Sequence, residues 1–152
     1  MAPKVGHQAP DFELEGTSGS FRLSEHRGER VVLLFYPADN TPGGTRQFCS
    51  YRDNPEAFAA LDATVVGISA QSVESHEAFT AKHGLTVPLL ADPDSEVAKL
   101  YGAWMRVRGA KRAVVIVDEQ GRVAYRHDHT LGFDFQDTGD LREALDSLAY
   151  AG

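Results

Sequence analysis

The sequence predicts an α/β fold, with a mixed central sheet flanked by helices, in a single domain of residues 1–152. Three observations carry this. Residues 31–36 and 63–69 are predominantly apolar runs of the kind covered on both faces, and each is followed by a helical segment. Strands separated by helices pair in parallel. A later pair, residues 113–117 and 123–127, flanks Glu119-Gln120-Gly121 and must be antiparallel, which makes the sheet mixed.

The elements follow in order. Residues 12–14 and 21–23 flank Gly16-Thr17-Ser18-Gly19-Ser20, a hairpin around a Gly-rich turn. Neither GxGxxG nor GxxxxGK[ST] is present, so these glycines serve a turn and not a phosphate loop. The 31–36 strand ends at Pro37, and a Gly-rich loop leads to a helix over 45–52. There Phe48 shares a face with Tyr51 or Arg52. Asn54 caps, and Pro55 opens, the next helical stretch. Ser72 caps a helix that stops at Gly84, with Lys82 and His83 in its last turn. Residues 87–91 form a short strand, and Asp92-Pro93 opens a helix running to about Tyr101. The last helix is capped by Asp140, with Glu143 at the capping-box position and Leu141, Leu145 and Leu148 on its inner face. A hairpin, then βαβαβα, then ββα fits a thioredoxin-like fold with an added N-terminal β-hairpin.

Composition removes several function classes. One cysteine cannot close an internal disulfide or build a Cys-rich zinc module. No apolar run approaches the ~20 residues of a membrane helix. The N-terminal MAPKVGHQAPDF has no apolar h-region, so a cytoplasmic location is expected. Fifteen Lys and Arg against twenty-two Asp and Glu leave a net charge of −7, a poor match to nucleic acid. No cofactor is expected.

The loop Pro37-Ala38-Asp39-Asn40-Thr41-Pro42-Gly43-Gly44-Thr45 carries the most chemistry. It joins the carboxyl end of a strand to the amino end of a helix, where open α/β sheets place ligands and where free N–H groups attract anions. Thr41 adds a hydroxyl, and the glycines allow close approach.

Val5-Gly6-His7-Gln8-Ala9-Pro10-Asp11-Phe12, Phe35-Tyr36-Pro37 and Asp39-Asn40-Thr41-Pro42-Gly43 together resemble a peroxiredoxin of the bacterioferritin-comigratory, or Q, type. Arg112-Ala113-Val114-Val115-Ile116-Val117-Asp118, followed by Gly121, is similar to the Arg-bearing strand of that family. The resemblance runs in order along nearly the whole chain. It implies a thioredoxin-like fold, reduction of hydroperoxides and a thioredoxin-like reductant. In that family a cysteine follows Thr-Pro-Gly and its thiolate attacks the O–O bond. A second cysteine five residues on often resolves the sulfenic acid.

This chain departs from that pattern at one position. Gly44 stands at the peroxidatic position, and the single thiol, Cys49, stands at the resolving one. Pro37, Thr41, the amides of Gly43 and Gly44, and Arg112 make up the cradle that the resemblance assigns to thiol activation and peroxide binding. Glycine is expected to leave a pocket where the thiol would sit. On one helix, Cys49 lies about 7.5 Å along the axis and about 140° around from Gly44, away from the cradle. It reads first as a small inert hydrophobe, and second as a recruited nucleophile. Little or no peroxidase activity is therefore expected. The alternative is a non-catalytic protein that holds an anion or small oxygen-rich ligand in the Thr41/Gly43/Gly44/Arg112 cradle. Either form would be a monomer or a homodimer.

Other clusters read as ordinary surface or core. Tyr125, His127 and His129 alternate on one strand, and with Asp134 they have metal-binding spacing, yet no metal site is assigned. Arg106, Arg108, Lys111 and Arg112 put four cations within seven residues, and the loop 104–111 that holds the first three is short for a Q-type member. Phe133 and Phe135 are placed to cover the site or pack in the core. His7, His26, His76 and His83 share no spacing, and no carboxylate–histidine pair stands out.

Overall fold

The computed structural model describes residues 2–105, 109–129 and 135–148. Arg106, Arg108, Phe133 and Asp134 lie outside the described residues. The chain opens with the hairpin β1 (Glu13–Gly16) and β2 (Gly19–Arg22), followed by a 3-10 turn over Leu23–His26. The hairpin is tighter than expected, with Gly16 pairing with Gly19 across Thr17 and Ser18. Next come β3 (Val31–Phe35), α1 (Pro42–Asp53), α2 (Pro55–Ala59), β4 (Thr64–Ser69) and α3 (Val73–His83). The second half holds β5 (Leu89–Ala91), α4 (Glu96–Leu100), β6 (Trp104–Met105), β7 (Gly109–Ala110), β8 (Ala113–Val117), β9 (Val123–Asp128) and α5 (Thr138–Leu148).

Seven strands form one mixed sheet in the order β2-β1-β5-β4-β3-β8-β9. The central β3, β4 and β5 run parallel, and β8 lies antiparallel against β3 with Ala113 opposite Phe35. This is the mixed sheet flanked by helices that the element order predicted. The continuous apolar run in β3 has a direct cause: both faces are covered. Val31, Leu33 and Phe35 point to a core shared with Phe12, Phe21 and Tyr101. Val32, Leu34 and Tyr36 point to the opposite core, which holds Phe48 and Tyr51 of α1, Phe79 of α3 and Leu141 of α5. β1 reaches the sheet by a close approach at Gly16, where a Cβ would sit 2.6 Å from the Leu90 side chain and 2.7 Å from the Leu89 carbonyl oxygen. No larger residue fits there.

Helix ends supply most of the corrections. α1 begins at Pro42, a turn earlier than the expected residue 45, because Thr41 caps it and Pro42 occupies the first helical position. Asn54 does not cap α2 with its side chain; its Nδ2 instead donates to the Ser50 carbonyl at 2.8 Å and closes α1. Ser72 does cap α3, accepting from the Ser75 amide at 3.1 Å, and Gly84 ends that helix in the left-handed region at φ 61°. α4 starts only at Glu96, because the Asp92 carboxylate reaches forward to the Val97 and Ala98 amides across the turn that Pro93 opens. For α5 the cap is Asp137, not Asp140. The two exchange bonds, Asp140 N–H to Asp137 Oδ1 at 2.9 Å and Asp137 N–H to Asp140 Oδ2 at 3.0 Å, a capping box with an aspartate in its second position. The 104–111 loop contains a short ribbon, β6 against β7, that the sequence did not predict. Among the described residues no helix is long and apolar enough to cross a membrane.

The Thr41 cap allows a direct check. Thr41→Ala is expected to destabilise the protein by about 1 kcal/mol, and Thr41→Ser by much less, in urea unfolding. Equal losses would place the contribution in the methyl group instead of the hydroxyl.

Candidate functional site

The site lies where β3 leaves the sheet. Tyr36 is buried at the strand end and its amide donates to the Ile68 carbonyl at 3.1 Å. Pro37 has no N–H to continue the ladder, and the chain turns away. Residues 37–41 then form a compact loop. Asp39 is its anchor: its N–H donates to Gln71 Oε1 at 3.0 Å, and its carboxylate receives the hydroxyls of Tyr36 at 2.7 Å and Ser75 at 2.8 Å. His76 Nδ1 lies 2.7 Å from the same carboxylate. Asn40 takes a left-handed conformation at φ 61°, which asparagine tolerates and which turns the chain into α1.

Burial opposes ionisation of Asp39, but the bonds from His76, Tyr36 and Ser75 outweigh it and hold the carboxyl below its ordinary value. The stabilisation this brings is present above the unfolded-state carboxylate range, near pH ~4, and is lost as pH falls through the lower folded value. Asp39→Asn should therefore be less stable than the parent near neutrality, with a gap that narrows as pH drops from about 5 to 2. Chemical denaturation across that range reads the gap directly.

At the mouth of α1, the Thr41 hydroxyl does two things. It accepts from the Gly44 N–H at 3.1 Å and donates to the Ala38 carbonyl at 3.0 Å. This corrects two expectations. The Gly44 amide is not presented to a ligand, because Thr41 takes it, which leaves Gly43 to offer the first-turn N–H. Nor does glycine leave an open pocket: a Cβ at position 44 would meet Thr41 Oγ1 at 2.9 Å and the Ala38 oxygen at 3.1 Å. The threonine side chain has closed over the space.

Arg112 enters from β8. It precedes Ala113, the partner of Phe35, so the antiparallel register sets it beside Tyr36 and Pro37. Only 3% of the residue is exposed, and burial pushes the guanidinium pKa down. Nη1 donates to Gln47 Oε1, while buried Nε has no hydrogen-bond partner among the described residues. No carboxylate pairs with it among the described residues. Gln47 lies three residues after Gly44 and four after Gly43, on the same helix face. The Arg112 head is thus drawn to the first two turns of α1. Gln47 is held in turn by its Nε2 donating to Tyr51 Oη at 3.2 Å, and Tyr51 donates to the Gln136 carbonyl at 2.5 Å. Burial raises the Tyr51 phenol well above its ordinary value, so it remains a donor.

The structure therefore brings Thr41 into contact with Gly44, and sets Arg112 on Gln47 of α1, beside the end of β3. It sets Cys49 apart. α1 is unbroken from Pro42 to Asp53, and Cys49 is half-buried against the α1 side of the core. Gln47, Asp39 and His76 were missed by sequence reading. Gln47 had a signal in its spacing from Gly43 and Gly44, whereas the Asp39–His76 pair spans 37 positions and had none. Elsewhere, Lys111 is committed to Asp128 at 3.4 Å. Phe135 lies under the Arg46 guanidinium at 5.7 Å, against α1. The His127 and His129 rings stack edge to face at 4.4 Å, and no group of three or more metal-ligating side chains occurs among the described residues.

Comparison with known proteins places this geometry. The model of the AhpC/TSA family matches residues 5–126. Peroxiredoxin Bcp of Bacillus subtilis is 38% identical over 131 residues, spanning 81% of this chain and 83% of its own. The crystal structure of peroxidoxin BcpB from Mycobacterium tuberculosis superposes with a TM-score of 0.81 at 31% identity, covering 97% of both chains. The bacterioferritin comigratory protein of Xanthomonas campestris, a protein with alkyl peroxide reduction activity, gives a TM-score of 0.80 at 25% identity over 97% of this chain and 99% of its own. On these matches the chain belongs to the AhpC/TSA family, among the peroxiredoxins of bacterioferritin-comigratory and Q type.

Proposed function

We propose that this chain is a cytoplasmic, single-domain peroxiredoxin, monomeric or homodimeric, whose family reaction is thioredoxin-dependent reduction of hydroperoxides. As written it has little or no such activity, because Gly44 occupies the position of the attacking cysteine. The observation that carries this reading is the placement of the only thiol. Cys49 sits mid-way along an intact α1, half-buried, about 7.5 Å and about 140° from the first-turn amides. Without a sulfur at the cradle there is no group to take the peroxide oxygen.

The test is hydroperoxide consumption by the unaltered protein with a thioredoxin couple. Turnover no greater than buffer is expected, with Cys49→Ala indistinguishable from the parent. Turnover like that of a cysteine-bearing relative, abolished by Cys49→Ala, would show that Cys49 had been recruited and would sink the proposal.

A second reading rests on a different observation, the buried Arg112 Nε without a partner among the described residues. A buried donor on a cation is costly unless something accepts from it. In this reading an anion or a small oxygen-rich ligand is held on Arg112 and the Gly43 amide, since the Thr41 proton already goes to the Ala38 carbonyl.

A further inference from the structure

His76, on α3, is fully buried, and so is the Asp39 side chain it faces, at 0% and 1% exposure. Buried polar atoms need partners. His76 Nε2 is 3.0 Å from the Leu90 carbonyl oxygen, which can only accept, so Nε2 carries a proton. Nδ1 is 2.7 Å from Asp39 Oδ2. Two hydroxyls already donate to this carboxylate, Tyr36 to Oδ1 and Ser75 to Oδ2, and two such donors favour its ionised form. Tyr36 has one proton, directed at Asp39 across 2.7 Å and not at Nδ1, which is 3.4 Å away. A bare Nδ1 would therefore set its lone pair against a carboxylate oxygen with no proton between them. The arrangement is satisfied when both ring nitrogens are protonated. The titratable groups facing the ring are Asp39 from the loop and Tyr36 from the end of β3. Arg112 on β8 acts on that tyrosine from further out.

We infer that His76 is a positioning residue: a buried imidazolium that latches Asp39, and through it residues 37–41, in the conformation that lets Thr41 cap Gly44. One ring thereby connects α3, β5, the end of β3 and the loop that opens the site. The loop needs such a hold. It carries Asn40 at φ 61° and turns the chain between Asp39 and Thr41, so that the Ala38 carbonyl and the Thr41 hydroxyl meet. This goes beyond the proposed function. It concerns the shape of the site whatever ligand it accepts, and its test uses neither peroxide nor ligand.

The experiment combines nitrogen-15 NMR of the intact protein with hydrogen exchange at the Gly44 amide. In the parent, both His76 ring nitrogens are expected to carry slowly exchanging protons. His76→Asn retains a donor near the Nδ1 position, whereas His76→Gln retains one near Nε2, toward Leu90. Gly44 amide protection should stay within about threefold of the parent in His76→Asn and fall at least ~10-fold in His76→Gln. Global stability, measured in parallel, should drop in both. Equal protection in the two variants, equal loss, or the reverse order overturns the inference. So does a parent spectrum showing only one protonated ring nitrogen, a result that needs no variant to fold.

Discussion

Gly44→Cys is expected to raise hydroperoxide consumption by at least ~10³-fold over the parent, because it supplies the atom that performs the covalent step. Gly44→Ser, similar in size but without the sulfur, should remain at the parent level. The new side chain does not enter an empty space. Its Cβ falls 2.9 Å from Thr41 Oγ1 and 3.1 Å from the Ala38 oxygen, so the threonine hydroxyl must swing aside and release the Gly44 amide. That release costs about 1 kcal/mol of capping. Removing a helical glycine returns a few tenths of a kcal/mol. The protein should therefore fold, and the freed hydroxyl and amide become available to the thiolate and the bound oxygens. A peroxide assay with a thioredoxin couple, run on parent, Gly44→Cys and Gly44→Ser, separates the outcomes. An inactive but folded Gly44→Cys would mean that a thiol at position 44 is not enough to make this site a peroxidase.

The second large effect is expected at Arg112. A buried guanidinium with a hydrogen bond to Gln47 and no carboxylate partner among the described residues is a destabilising feature. Arg112→Met alone would orphan the buried Gln47 oxygen, so the informative variant is Arg112→Met with Gln47→Leu. We expect it to be more stable than the parent by about 1–3 kcal/mol in denaturant unfolding. The same variant should lose any increase in melting temperature that sulfate or a small carboxylate gives the parent. A stable protein that no longer responds to anions would identify Arg112 as held at a cost for a ligand. Marked destabilisation would instead make the Arg112–Gln47–Tyr51 chain a structural network.

The candidate site divides into a part that sequence could reveal and a part that it could not. Pro37, Thr41, Gly43 and Gly44 are contiguous, and their residue types mark a strand-to-helix turn before any coordinates exist. Arg112 was located by resemblance, and its register beside Tyr36 came only from the pairing of β3 with β8. The state of the Gly44 amide was misread, because a threonine three residues earlier can either point at a ligand or cap the helix. Its side-chain torsion decides that, not its identity. The cap of α5 was misplaced for a similar reason: Asp137 and Asp140 are equivalent as letters, and only geometry shows which one opens the helix.

By itself the sequence determined the mixed α/β fold, the position of the strand-to-helix loop and the solitary thiol at residue 49. These are properties of local pattern and composition, since burial on both faces demands continuous apolar runs, and a residue count is the same in any conformation. Only the tertiary structure decided that Thr41 spends its hydroxyl on Gly44 and that Arg112, with no acid paired to it among the described residues, bonds to Gln47 of α1. It alone joined His76 to Asp39. The Thr41 cap is local and turns on a side-chain torsion, whereas the other two link residues from different elements, and such a link exists only once the sheet has set the ends of β3, β5 and β8 beside one another.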